Sequence, residues 1–180
     1  INESNAFADY IVPDSLMYES WGWVAAWNGV PTKAMSARWP VIEPKGTKTP
    51  EGHAVGMETF FIALAKAMKL PGFGENAISD PEGKTYPLNT PEDWYLRGGA
   101  NIAWLGKEPV ADASDEDIIL SGVERLRPVL EKTLKPEEVA KVAFLLSRGG
   151  RYQPGKDAYD EEDPRWMRNP MKSMAHLWNE

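Results

Sequence analysis

The residues able to do chemistry in this chain are few and scattered. Its two histidines, His53 and His176, lie far apart, and neither has a second histidine or a carboxylate at metal-ligand spacing on a recognisable element. Isolated imidazoles of this kind read as solvated or hydrogen-bonded side chains. The acidic run Asp157, Asp160, Glu161, Glu162 and Asp163 has oxygen enough for a calcium ion but lacks the glycine and ligand order of a calcium loop, so it reads as a solvated turn. Gly72 to Asn76 lacks the third glycine of a dinucleotide fingerprint and follows a helical pattern, not a strand. No serine sits in a nucleophile elbow, and no two carboxylates stand out as an acid/base couple. With zero cysteines, disulfides, thiolate metal sites, iron–sulfur ligation and thiol catalysis are excluded within these residues.

The aromatic residues stand out instead. "NAFADYIVPDSLMYESWGWVAAWNGVPTKAMSARWP" holds Trp21, Trp23, Trp27 and Trp39, while Gly22, Gly29, Pro31 and Pro40 break any helical or strand period. The stretch reads as an ordered, irregular excursion. If exposed, Trp21, Trp23 and Trp27 would suit a binding module that stacks sugars or peptides on indole faces; a structural interaction domain is the other reading of residues alone.

Several helices and one short strand must position these groups. Tyr10, Ile11 and Val12 have strand character, and Pro13 removes a donor and ends it. Met57, Phe60, Phe61, Leu64 and Met68 recur at three- and four-residue steps, which predicts a helix over 57–70 stopped by Pro71-Gly72. Thr90-Pro91-Glu92-Asp93 has the cap, proline and acidic first turn of a second helix, expected to end at Gly98-Gly99. Ser114 opens a third, which Pro128 divides or kinks, and Pro136 opens a last one ending at Gly149-Gly150. The tail from Arg151 onward reads as loop.

Composition limits the class. A chain of 180 residues, 42% hydrophobic and 26% charged, can bury a real core. Twenty basic residues against 27 acidic ones give a net charge of −7 without a basic cluster, which argues against a nucleic-acid partner. No apolar run approaches the roughly 18 residues of a membrane span. The start at Ile1-Asn2-Glu3-Ser4 is neither an initiator methionine nor a basic leader and suggests a piece of something larger or a matured product. One part-domain over 1–180 is expected, with a Trp-rich segment at 1–56, a helical segment at 57–150 and a loop-rich tail at 151–180. The fold class expected is an α/β fragment, mainly helical with few short strands.

Glu3-Ser4, then Ala8-Asp9-Tyr10-Ile11-Val12-Pro13, then Glu19 resembles the "E-T-x-x-x-A-D-x-V-L-P-x-x-x-x-x-E" segment late in the third domain of molybdopterin-dependent oxidoreductases of the dimethyl sulfoxide reductase family. Ser4 stands where that family usually has threonine and Val12 where it often has leucine, so a hydroxyl and an apolar strand residue are retained. The similarity runs through "SRGGRY" to the terminal "WNE" and points to the branch that reduces sulfur and arsenic oxyanions.

The resemblance implies an open, Rossmann-like α/β third domain and a catalytic subunit carrying molybdenum as bis(molybdopterin guanine dinucleotide). It implies a 4Fe-4S cluster outside these residues, a membrane anchor and an iron–sulfur electron-transfer subunit as partners, and a place at the periplasmic face of the cytoplasmic membrane. Asn2, Glu3, Ser4 and Asp9 would bind the cofactor: a carboxylate suits the guanine N1–H and N2–H₂ edge, and a hydroxyl suits ribose or phosphate. Capping a following turn would use the same residue types. Arg38, in Ser36-Ala37-Arg38, stands where relatives present an arginine over the cofactor. Its fork fits a pyrophosphate or a small sulfur oxyanion, with Lys33 assisting, though stacking on Trp27 or Trp39 suits it as well. Trp21, Trp23 and Trp27 would wall the substrate funnel. Trp94, Trp104 and Trp166 are expected in the core.

Overall fold

The structure is a computed structural model that describes residues 2–25, 34–80, 82–104 and 108–154. Their regular elements, in chain order, are β1 (Gly22–Ala25), β2 (Ala34–Arg38), α1 (Met57–Ala67), β3 (Gly74–Ser79), β4 (Thr85–Leu88), α2 (Pro91–Ala103), α3 (Asp115–Ser121), α4 (Arg127–Thr133), α5 (Pro136–Arg148) and β5 (Gly150–Tyr152). The chain divides into two compact units, one of Ile1–Trp21 with Trp39–Trp94, the other of Gly22–Arg38 with Tyr95–Glu180.

In the first unit, β3 and β4 form an antiparallel hairpin in which Ile78 faces Tyr86 and Ser79 faces Thr85. Asp80 closes its turn: the carboxylate accepts from the Glu82 and Lys84 amides at 3.0 and 2.9 Å and from the Tyr86 hydroxyl at 3.0 Å. Trp21, Trp39, Ile62, Ala65, Tyr86 and Leu88 are this unit's buried apolar residues. α1 starts and stops close to expectation. Its amphipathic face does not behave as expected, because Met57, Phe60, Phe61, Leu64 and Met68 are all exposed. The strand expected at Tyr10 to Pro13 is absent as well: these residues are exposed, and no described strand pairs with them to satisfy their backbone groups.

The second unit is a three-stranded antiparallel sheet, ordered β1-β2-β5, with helices. Gly22 pairs with Arg38 and Ala25 with Met35, while β5 pairs Gly150 with Ser36 and Tyr152 with Ala34. The sheet packs through Trp23 and Met35 against Ile102, Ala103 and Leu145 of α2 and α5. α2 runs past the stop expected at Gly98-Gly99 and ends at Ala103. A Cβ on Gly99 would lie 3.0 Å from Cζ2 of Trp23, so this glycine is a notch for the indole and the helix continues through it. The Trp23 indole N–H donates to the Tyr95 carbonyl at 2.8 Å, on the same helix.

The remaining helix boundaries are local chemistry. Ser114 accepts from the Asp117 amide at 3.1 Å and caps α3. Pro128 lies in the first turn of α4, after a 3-10 turn at Val123–Leu126, so it divides the run as its missing N–H requires. α5 begins at Pro136 and ends where Gly149 takes a left-handed φ of 74°. The tail, expected as loop from its first residue, opens as β5. Its Arg151 donates to the carbonyls of Ile102 and Ala103, both at 2.9 Å, and of Glu108 at 2.7 Å, closing the end of α2.

Inside this unit Arg97 and Glu138 form a buried two-pronged pair, with Nη2 to Oε1 at 3.1 Å and Nη1 on Oε2. Glu138 Oε2 also accepts from the Lys135 amide at 2.8 Å, so one carboxylate holds α2 and caps α5.

Candidate functional site

Arg38 ends β2 directly opposite Gly22, and the glycine makes room for it. A Cβ built on Gly22 would stand 3.0 Å from Nη2 and 3.2 Å from Cζ of Arg38, so the guanidinium lies across the bare backbone of β1. Arg38 itself is exposed. The position therefore seats a cation with a planar fork on β1, and that is the side-chain chemistry that recognition of a small oxyanion uses.

Asn2, Glu3, Ser4 and Asp9 are all exposed in the first unit. Asn2 and Asn5 close the turn between themselves, Asn5 N–H to Asn2 Oδ1 at 3.0 Å and Asn2 N–H to Asn5 Oδ1 at 3.3 Å. Ser4 stands at the cap of the 3-10 turn Asn5–Phe7 without a side-chain cap hydrogen bond. The capping role considered for Ser4 is thus carried by asparagines. Chemically the set of an exposed carboxylate, a hydroxyl and a second carboxylate fits the hydrogen-bonding edge and ribose of a guanine nucleotide.

The tryptophans separate. Trp21 is buried and Trp23 is packed on α2 with its N–H donated to Tyr95, so neither presents an open indole face for stacking sugars or peptides. Trp94 and Trp104, expected in the core, are 56% and 41% exposed. Helix position explains the first: on α2 the buried residues are Leu96, Arg97, Gly99, Ala100, Ile102 and Ala103, and Trp94 falls off that face. Lys141 Nζ sits 5.7 Å from the Trp104 ring centre, the half-open setting of a cation–π contact. Trp27, Lys33, Trp166, His176 and the acidic run at 157–163 lie outside the described residues.

One further cavity, of about 250 Å³, was not legible beyond the long Pro40–Gly56 stretch that forms part of its wall; it lies within the first unit. Glu19, Glu43, Glu58 and Glu92 line it against Lys48 and His53. Lys48 pairs with Glu43 at 2.9 Å, and this hydrogen bond and charge hold the Glu43 carboxyl below the usual range. The lining is acidic on balance and repels an oxyanion. Among the described residues no three histidines, cysteines or carboxylates are placed to hold a metal ion, and His53 is half-buried without a second ligand.

Comparison with known proteins identifies the class first. Over nearly its whole length the chain is similar to a segment of the A subunits of reductases. It is 52% identical to the A subunit of tetrathionate reductase from Salmonella typhimurium over 99% of its length and 17% of that protein's. It is 30% identical to the A subunit of tetrathionate reductase from Archaeoglobus fulgidus, over 100% of this chain and 17% of the relative. The A subunit of selenate reductase from Mesobacillus selenatarsenatis is 28% identical, over 100% of this chain and 18% of the relative. The chain spans about a sixth of the length of these curated relatives. No family model and no solved structure matches it.

Proposed function

We propose that the chain forms part of the catalytic subunit of a molybdenum bis(molybdopterin guanine dinucleotide) reductase whose substrate is tetrathionate. The 52% identity sustained over 99% of the chain to a tetrathionate reductase carries this reading, against 28% to a selenate reductase. The reaction adds two electrons to tetrathionate, breaks the central sulfur–sulfur bond and releases two thiosulfates, with no proton required for balance. When bound, the molybdopterin group supplies that electron pair.

The chain's own residues contribute binding and charge. Glu3, Ser4, Asn2 and Asp9 would hold the guanine end of the cofactor, in an open α/β third domain built with the rest of the polypeptide. Arg38, seated over Gly22, would draw and orient the dianionic substrate, with Lys33 adding charge. Trp23, packed on the helices of the same unit, would stiffen the wall behind it. A 4Fe-4S cluster held by cysteines would lie elsewhere in the parent protein, since this chain has no cysteine. Electrons arrive through a membrane anchor and an iron–sulfur protein, as part of anaerobic respiration at the periplasmic side of the membrane.

The test is turnover by the intact parent protein, loaded with cofactor and reduced by a viologen dye. Tetrathionate should be reduced with a higher kcat/KM than selenate, arsenate, thiosulfate or polysulfide, and molybdenum should be present in the protein. Absence of molybdenum, or a preference for another of these acceptors, overturns the proposal.

A further inference from the structure

α1 turns its most apolar stripe outward. Met57, Phe60, Phe61, Leu64 and Met68 fall at the i, i+3, i+4, i+7 and i+11 positions that share one helix face. They are 57%, 42%, 56%, 41% and 59% exposed. The residues that α1 buries are Ile62 and Ala65, from the neighbouring face. Phe60 and Phe61 meet edge to face at 5.5 Å, and Leu70, just beyond the helix, is 45% exposed. No charge interrupts the stripe. Glu58, Lys66 and Lys69 point from other positions around the helix, and Lys66 Nζ is held by Asn89 Oδ1 at 3.0 Å. A helix that faces water carries its polar residues there, so this face is built for contact with protein.

We infer that the outward face of α1 is an intrachain seam, covered by parts of the same polypeptide beyond these 180 residues. The inference rests on the reading of the chain as a segment of a longer catalytic subunit. Its relatives are about six times longer, and the match includes the α1 sequence. An uncharged stripe of aromatic and thioether side chains suits a dry, permanent contact, like a domain core cut in two, better than a wet and reversible one.

The stripe carries its own probes in Met57 and Met68. In the intact parent protein, purified without its partner proteins, their oxidation by hydrogen peroxide can be followed by peptide mass spectrometry, folded and in urea. The expected result is oxidation at least about tenfold slower in the folded protein, at every protein concentration, because thioether oxidation follows exposure. Folded and unfolded rates within about twofold of each other would overturn the seam. So would protection that fades on dilution, which indicates a second copy, or protection that requires an added partner protein. Phe61→Asp should lower the melting temperature and speed oxidation of both methionines, while Phe61→Leu leaves both measurements near wild type; no effect of Phe61→Asp on either also overturns it. Tetrathionate turnover and molybdenum content of the same preparation report on the function separately. Protected methionines in a protein lacking both would leave the seam standing, and open ones in an active enzyme would remove the seam alone.

Discussion

The guanidinium of Arg38 lies over Gly22, so close that a single added methyl would stand 3.0 Å from its Nη2 atom. The two residues are register partners at the end of the β1–β2 ladder. The crowded atoms belong to the end of a flexible side chain, so a methyl there displaces the guanidinium and leaves the strands in place. Gly22→Ala should therefore act as an Arg38 variant. In the intact enzyme both Gly22→Ala and Arg38→Lys are expected to raise KM for tetrathionate by about threefold or more with molybdenum content unchanged. Wild-type kinetics in both would remove Arg38 from substrate binding.

Helix starts were legible because their chemistry is local: Ser114 and Pro136 each announce the turn they begin, and Gly149 the one it ends. The sheet was not. β1 and β2 are four and five residues long, and β2 also depends on β5 more than a hundred positions away, a pairing no window of residues displays. Gly99 looked like a stop because the indole that fills its notch comes from Trp23. In α1 periodicity identified the apolar face correctly and could not say what the face meets. Trp94 and Trp104 show the same limit, since bulk and hydrophobicity do not give helix phase. Of the candidate site, the type of residue at Arg38 was legible, and its seat on Gly22 was not.

Gly150 is a stricter case than Gly149, although the pair reads as one signal. Its φ is 137°, and a Cβ would fall 2.1 Å from the Met35 carbonyl oxygen and 2.8 Å from the Ser36 Cα. Both obstacles are backbone, so nothing nearby can yield cheaply. Gly150→Ala should cost about 3 kcal/mol or more, by detaching β5 from β2. Limited proteolysis should then cut the variant near residues 149–154 where the wild type resists. An uncut variant with an unchanged melting temperature would show that β5 is dispensable.

The Arg97–Glu138 pair makes a prediction in two parts. Both residues are buried, at 3% and 7% exposure, so Arg97→Met alone strands a carboxylate in the core. That single change should cost about 3–5 kcal/mol, while Arg97→Met with Glu138→Leu should recover much of the loss by removing the second charge. Glu138→Leu also deletes the cap on the Lys135 amide, so recovery should stop short of wild type by about 1 kcal/mol. Urea unfolding of Arg97→Met, Glu138→Leu and the double variant gives the coupling directly. A double variant weaker than Arg97→Met would show that the pair is net stabilising and not merely compensated.

Asp117 links pH to the seating of α3 on α5. The Ser114 hydroxyl beside its carboxyl, and then Arg148 at 2.8 Å, hold it below its ordinary value of 3.8. A carboxyl depressed in the folded state favours folding at pH values above that ordinary value, and the contribution fades as pH falls below it through the folded-state value. The partners span two elements, since Ser114 caps α3 and Arg148 ends α5, so the loss should appear as opening of α3 and not as general unfolding. Hydrogen-exchange protection of the α3 amides, corrected for intrinsic rates, should accordingly fall in the wild type between pH 6 and pH values well below 3.8. Asp117→Asn should begin at pH 6 with the weaker protection and change little on acidification. High salt should weaken only the Arg148 share, because the hydroxyl hydrogen bond carries no net charge to screen. Equal protection of α3 in the two proteins at pH 6 would show that the contact contributes nothing to holding the helix.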